Sequence, residues 1–225
     1  MKKAIEITDL IAKKADSVIL FHSASGKDSI ALLDILYPRF KRVVCVYMYV
    51  VKDLQHINKY IKYAKTKSPT IEFIQIPHYA LFSYIKTGYM GMEKNEKQRG
   101  YSLADLTEKV REMTGIEWTC FGFKQADGLN RRLMLRTYEQ EAINEPTKKF
   151  YPFSAYKNAD VIKYIEDNQL KRPETYGKAR SSGTNIADIN YLLWLRENSP
   201  DDLQKTINQF PMVERLIFEH DYKNN

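Results

Sequence analysis

A short apolar run, Ser17-Val18-Ile19-Leu20-Phe21, passes directly into His22-Ser23-Ala24-Ser25-Gly26-Lys27-Asp28-Ser29. A stretch with Ile30, Leu32, Leu33, Ile35 and Leu36 on one side follows at once. The change of period predicts a buried strand, a tight turn and a helix. Small residues in such a turn let the backbone approach an anion, and the N–H groups that open the helix point at it with the helix dipole behind them. Ser25 and Ser29 add hydroxyl donors, and Lys27 adds a positive charge. In open α/β sheets, ligands bind at the carboxyl ends of strands near the switch in strand order, which is where this turn falls. The competing reading is an ordinary strand–helix turn with no ligand, and the position after the first strand favours the anion loop.

The alternation continues along the chain. Arg42 to Val50 reads as a second strand, 54–66 as a helix, and Ile71 to Pro77 as a third strand ended by proline. Thr87 to Gly100 carries three glycines and two methionines and reads as a loop or lid. Ser102 caps an expected helix to about Met113, Glu117 to Phe123 is a fourth strand, 128–142 a helix, and Phe150 to Phe153 a short strand-like piece. Ala159 to Asn168 is a further helix, and the last forty residues read as helical with breaks at Pro200 and Pro211. Strands alternating with helices predict an α/β fold with a parallel sheet covered on both faces. The simplest division is 1–170 as the nucleotide-binding domain and 171–225 as a helical C-terminal appendage. Within the appendage, Leu192-Leu193-Trp194-Leu195 has either the core or a second subunit to pack on, which leaves a homo-oligomer open.

With 225 residues, 44% apolar and 28% charged, the chain is neither disordered nor membrane-embedded in composition. No apolar run reaches the roughly 18–20 residues of a membrane helix, and the N-terminus lacks the apolar region of a signal peptide, so a cytoplasmic protein with no membrane partner is expected. Cys45 and Cys120 lie in strand-like runs and read as small buried hydrophobes. The four histidines have no metal-ligand spacing. A net charge of +7 favours anionic partners, a phosphate-bearing small molecule as well as nucleic acid.

Two named loops fail against residues 21–29. A P-loop needs glycine where Phe21 stands and Ser or Thr where Asp28 follows the lysine, and the Rossmann Gly-x-Gly-x-x-Gly is absent. Ala24-Ser25-Gly26-Lys27-Asp28-Ser29 resembles instead the Ser-Gly-Gly-x-Asp-Ser PP-loop of the adenine nucleotide α-hydrolase-like superfamily. It departs from that motif at Ala24 and Ser25, and Ser23 supplies a hydroxyl one residue early. Within the superfamily the chain looks like the phosphoadenosine phosphosulfate (PAPS) reductase family over roughly residues 15–180. Gly122 to Arg131 matches that family's Gly-x-Arg-x-x-Glu-Ser-x-x-Arg through Lys124, Asp127 and Arg131, with Gly128 for the serine. Pro152, Asp160-Val161, Pro173 and Tyr176 follow its later pattern.

The resemblance implies a Rossmann-like, HUP-type fold with a five-stranded parallel sheet, helices on both faces and a helical appendage. It implies an enzyme binding ATP or a PAPS-like nucleotide through Ser23, Ser25, Gly26, Lys27, Asp28, Ser29, Lys124, Asp127 and Arg131. Lys27 and Asp28 would be catalytic, Mg²⁺ would be the metal with Asp28 as its ligand, and no iron–sulfur cluster is expected. Lys178, Arg180, Ser181, Ser182 and Thr184 offer either a second anion site or a plain helix start. PAPS reductases act through a C-terminal cysteine, and nothing after Cys120 is one. Three functions stay open: adenylyl-type chemistry with pyrophosphate release, sulfonucleotide reduction with the thiol from a partner or Cys120, and a non-catalytic nucleotide-binding partner in nucleic-acid modification.

Overall fold

The structure, a computed structural model, describes residues 1–178 and 184–224. In chain order it runs α1 (Lys2–Ala12), β1 (Ser17–Phe21), α2 (Lys27–Leu36), β2 (Arg42–Tyr49), α3 (Gln55–Lys65), β3 (Ile71–Pro77), α4 (Tyr79–Thr87) and α5 (Leu103–Thr114). Then come β4 (Thr119–Cys120), α6 (Leu129–Arg136), β5 (Ile143–Asn144), β6 (Lys149–Phe150) and α7 (Asn158–Asp167). The chain ends in α8 (Ile189–Asn198), α9 (Pro200–Gln209) and α10 (Met212–Asn224). The sheet order is β3-β2-β1-β4-β6-β5. The first five strands in that order run parallel, and β5 pairs antiparallel with β6 at the edge. The expected five parallel strands are therefore present, and a sixth, antiparallel one is added. The chain steps outward from β1 to β3, then returns to the other side of β1 for β4, so the order reverses at the carboxyl end of β1.

Alternation along the strands puts helices on both faces. Val18, Leu20, Val43 and Cys45 pack with α1, α2 and α7. Ile19, Val44 and Val46, the residues between them, pack under Val110 of α5. A separate cluster joins Ile57 and Ile61 of α3 and Leu81 of α4 to Leu192, Leu195, Leu203 and Val213 of the last three helices and to Phe210 between α9 and α10. The Leu192–Leu195 run thus turns its buried residues to the chain's own core. Asp202 of α9, fully buried, closes this contact by accepting from the N–H groups of Gln55 (2.7 Å) and His56 (3.0 Å), so α9 caps the start of α3.

Three expectations change locally. A helix, α4, precedes the expected loop at 87–100; the His78 side chain accepts from the Ala80 N–H to start it, and Gly88 at φ 71° ends it. The helix expected over 128–142 stops at Arg136, because Gln140 and Glu141 turn left-handed to feed β5. Only Thr119 and Cys120 of the expected strand 117–123 join the ladder. Among the described residues no helix is long and apolar enough to cross a membrane.

Candidate functional site

A cavity of about 560 Å³ opens at the carboxyl end of β1, at the reversal in strand order. All nine residues assigned to the nucleotide line it: Ser23, Ser25, Gly26, Lys27, Asp28, Ser29, Lys124, Asp127 and Arg131.

The loop is built to leave its amides free. Ala24 takes a left-handed φ of 56°, held by its N–H donating to His22 Nδ1 at 2.9 Å. Its methyl is buried with the C-terminal cluster, so the position where the superfamily motif has its first serine contributes no hydroxyl to the cavity. Ser23 does contribute one, in contact with the Ser29 hydroxyl at 2.9 Å, and the Ser23 N–H donates to Ser29 Oγ at 2.8 Å. This tie folds the loop so closely that a Cβ on Gly26 would collide with Ser23 Oγ, which explains the glycine. Gly26 is the N-cap of α2 and offers no side chain to its first turn. Among the described residues, the N–H groups of Ser25, Gly26, Lys27, Asp28 and Ser29 have no acceptor. Five consecutive unpaired amides at a helix N-terminus form an anion cradle.

Charge is concentrated beside them. Asp28 accepts from Lys27 Nζ (2.9 Å) on one oxygen and from Lys124 Nζ (2.8 Å) on the other. Lys124 also approaches Asp127 (3.3 Å), and Asp127 accepts from Arg131 Nη1 at 2.7 Å. Lys124 is only 2% exposed, and the network keeps it satisfied. Burial pushes the Asp127 carboxyl up, but the Lys124 amide and ammonium and the Arg131 guanidinium together hold it below its ordinary value. Gly122 lets β4's end come this close, since a Cβ there would lie 3.0 Å from Asp28 Cβ. Arg131 is set over the Phe123 ring, 4.1 Å from its centroid, on a stack formed by Phe21, Phe121, Phe123 and Tyr151.

A strap from the appendage braces the loop. The Glu174 N–H donates to the Ser25 carbonyl (3.2 Å), and the Tyr176 hydroxyl meets Ser25 Oγ at 2.7 Å. Tyr176 is 1% exposed and its ring lies edge-on against His56, Tyr191 and Trp194. Sequence reasoning placed Tyr176 only in a family pattern; its partner Ser25 is 151 residues away and leaves no local signal. It also missed His22, the Val46–Met48 end of β2, His78 and Tyr84, which line the cavity's other wall. For Val46–Met48 and His78 the carboxyl ends of β2 and β3 were the available signal; His22 follows β1, and Tyr84 lies within α4.

The second anion site falls largely outside the described residues. Lys178 is ion-paired with Asp188, Thr184 lines the main cavity, and Arg180, Ser181 and Ser182 lie outside the described residues. Asp188 is the N-cap of α8 and accepts from the Asn190 N–H to start it. Cys45 and Cys120 are fully buried in the sheet on either side of Leu20, and burial pushes both thiols up, away from the reactive thiolate.

No family model matches the sequence, and no curated protein does. Solved structures share its shape at low identity. A PAPS reductase from Candida auris, in a phosphate complex, aligns with 81% of this chain and 88% of its own at 12% identity and a TM-score of 0.53. An NH3-dependent NAD synthetase from Campylobacter jejuni covers 100% of this chain and 95% of its own at 11% identity and a TM-score of 0.50. A U34-tRNA thiolase, NcsA, from Methanococcus maripaludis follows at 14% identity, 95% and 78% coverage and a TM-score of 0.48. The chain thus has the α/β fold that the loop's resemblance implied, and it shares that fold with a PAPS reductase and an NAD synthetase.

Proposed function

We propose that this chain is an enzyme that holds an adenine nucleotide with its phosphate end on residues 23–29 and acts at the α-phosphate, releasing pyrophosphate. The observation that carries this reading is the row of five unpaired amides at 25–29, facing the same cavity as Lys27, Lys124 and Arg131. Phosphate oxygens would take those N–H groups and draw the three cations from their carboxylates. Lys27 and the loop amides would then stabilise charge developing on the phosphoryl group, so that catalysis is positioning plus electrostatics. The donor set suits Mg²⁺ brought in on a triphosphate: Asp28 and Asp127 both face the cavity, and Mg²⁺ is ordinarily held by one or two carboxylates plus phosphate oxygens and water. Bound there by Asp28, the ion would neutralise phosphate charge.

Sulfonucleotide reduction is the second reading, favoured by the fold shared with a PAPS reductase. The inaccessible Cys120 speaks against its supplying the thiol, so a partner would have to. A calorimetric and thermal-shift panel of ATP, AMP, PAPS and adenosine 5′-phosphosulfate separates the two readings, because a ligand at 100 times its Kd stabilises by about 2.7 kcal/mol. ATP with Mg²⁺ should stabilise most, Lys27→Ala should abolish the shift, and labelled ATP should yield pyrophosphate when an acceptor is supplied. A preference for the 3′-phosphorylated ligand, or an unchanged shift in Lys27→Ala, would sink the adenylyl reading.

A further inference from the structure

Away from the cavity, one face gathers positive charge without carboxylates to balance it. Helix α3 carries Lys59, Lys62 and Lys65 outward, Lys67 follows its end, and Lys171 and Arg172 of the strap lie against it. Among the described residues none of the six forms an ion pair. Two carboxylates act on this region through space, Asp34 on Lys67 and Glu174 on Tyr60. Both are engaged elsewhere: Asp34 accepts from the Tyr164 hydroxyl, and Glu174 from the N–H groups of Thr175 and Tyr176.

Two tyrosines hold two of these cations, Lys171 and Lys67. Lys171 Nζ stands 4.1 Å from the Tyr60 ring centroid and 5.4 Å from that of Tyr63, whose other neighbour is Lys67 at 5.0 Å. The Tyr60 hydroxyl donates to the Arg172 carbonyl, and the Tyr63 hydroxyl accepts from the Lys171 N–H. Side chains held on ring faces lose less freedom when they meet an anion. The rings are covered by ammonium groups, so they are not platforms for stacked bases.

We propose that this face docks the phosphodiester backbone of a polynucleotide, independently of base sequence. From Lys59 to Lys65 the lysines of α3 extend about 9 Å at the helical rise of 1.5 Å per residue. That length matches about three phosphates at about 3.4 Å per strand step. An acidic protein is a poorer occupant, since lysine is depleted in protein interfaces. A membrane surface is poorer too, because interfacial binding needs apolar side chains beside the cations. The exposed large apolar residues, Leu129, Leu133, Met212 and Phe218 among them, belong to other helices. The strap ties the face to the cavity: Lys171 and Arg172 are part of the face, and Glu174 is bonded to the Ser25 carbonyl.

The test uses the full chain and a labelled 20-nucleotide single strand and duplex, with anisotropy followed across salt concentrations. Wild type should bind with a steep salt dependence. The triple variant Lys59→Gln/Lys62→Gln/Lys171→Gln should lower the slope of log K against log salt by about two to three, since each phosphate that a lysine neutralises adds about 0.7–0.9 to that slope. ATP binding should be unchanged in that variant. A charge-matched control, Lys3→Gln/Lys13→Gln/Lys97→Gln, should leave the slope near wild type. Equal decreases in both variants would overturn the proposal in favour of net charge alone. Absence of wild-type binding at low salt would overturn it outright, as would a triple variant that loses only anionic phosphatidylserine vesicles. None of the outcomes that would overturn it depends on the nucleotide reading of the cavity.

Discussion

Lys27, Lys124 and Arg131 share two carboxylates between them, whereas among the described residues Lys59, Lys62 and Lys171 share none. The two groups face different media. In the cavity, Lys124 is shut from solvent, and an ammonium there costs several kcal/mol unless a carboxylate accompanies it. On α3 the lysines stay in water, and their mutual repulsion is screened by salt within about 8–10 Å. Paired cations in a cavity hold a fixed geometry until phosphate replaces the carboxylates, which suits recognition of one small ligand. Unpaired cations on an open face attract any polyanion and release counterions in doing so, which suits a long one.

The largest effect separates the two groups by stability. Lys124→Met leaves Asp28 and Asp127 facing each other across the cavity with only Lys27 and Arg131 to hold them. Breaking such a buried pair costs about 3–5 kcal/mol, with the low end expected here because both carboxylates are partly exposed. Lys171→Met on the open face should change stability by no more than about 0.5 kcal/mol. Urea unfolding of both variants checks the contrast, and equal losses of stability would erase it.

Acid should separate them next. Burial pushes His22 down from 6.5 to about 3, and lowers His56, against the pull of Asp202, and His78. Above pH 6.5 these rings are neutral in both folded and unfolded chains. Below it the unfolded chain takes up protons that the folded one refuses, so stability falls by up to about 1.4 kcal/mol per pH unit for His22 alone, down to about pH 3. Asp127 and Asp202, held below their ordinary 3.8, add to the loss only in stronger acid. In the folded chain His22 stays neutral down to about pH 3, so its Nδ1 keeps the Ala24 N–H and the ATP affinity of the folded fraction should hold over pH 6.5–4; the acid loss is one of stability and falls on His22 beside the cavity, not on the α3 face. His22→Asn keeps an acceptor for Ala24 and should flatten the stability slope. A slope unchanged in that variant would assign the acid loss to other groups.

How much of this was legible in the sequence follows the range of the interactions. The loop at 23–29 is local: its glycine, its hydroxyls and the following helix are adjacent in the chain, and residues 26 and 29 behave as their types require, whereas the left-handed φ of Ala24 is one its type disfavours. Lys124 and Asp127 were found through a second motif, and the ion pair of Lys124 with Asp28 spans 96 residues that no periodicity measures. The sixth strand escaped because a two-residue ladder set by left-handed Gln140, Glu141 and Lys148 leaves no alternation to read. Helix α4 escaped because Tyr79–Thr87 is apolar on most sides, with its cap made by a histidine. The α3 face was visible only as lysines on a helix. That they lack carboxylate partners depends on what packs beside them, which the chain's order does not state.

The smallest effect probes how the cavity is held while the α3 face is left alone. Tyr176→Phe removes one hydroxyl that meets Ser25 Oγ at 2.7 Å in a dry contact, so Ser25 loses its partner. Such a hydrogen bond is worth about 1 kcal/mol net. The ring still packs on His56, Tyr191 and Trp194, so the fold should persist. If Tyr176 acts only through packing, Tyr176→Phe and Ser25→Ala should add independently in both stability and ATP affinity. If it positions the loop, ATP affinity should fall about fivefold in either single variant and little further in the double. That interaction energy in a double-mutant cycle is what a purely structural role would not produce. Polynucleotide binding on α3 should be the same in all four proteins; a parallel decrease there would mean that the strap 171–176 couples the two sites rather than merely joining them.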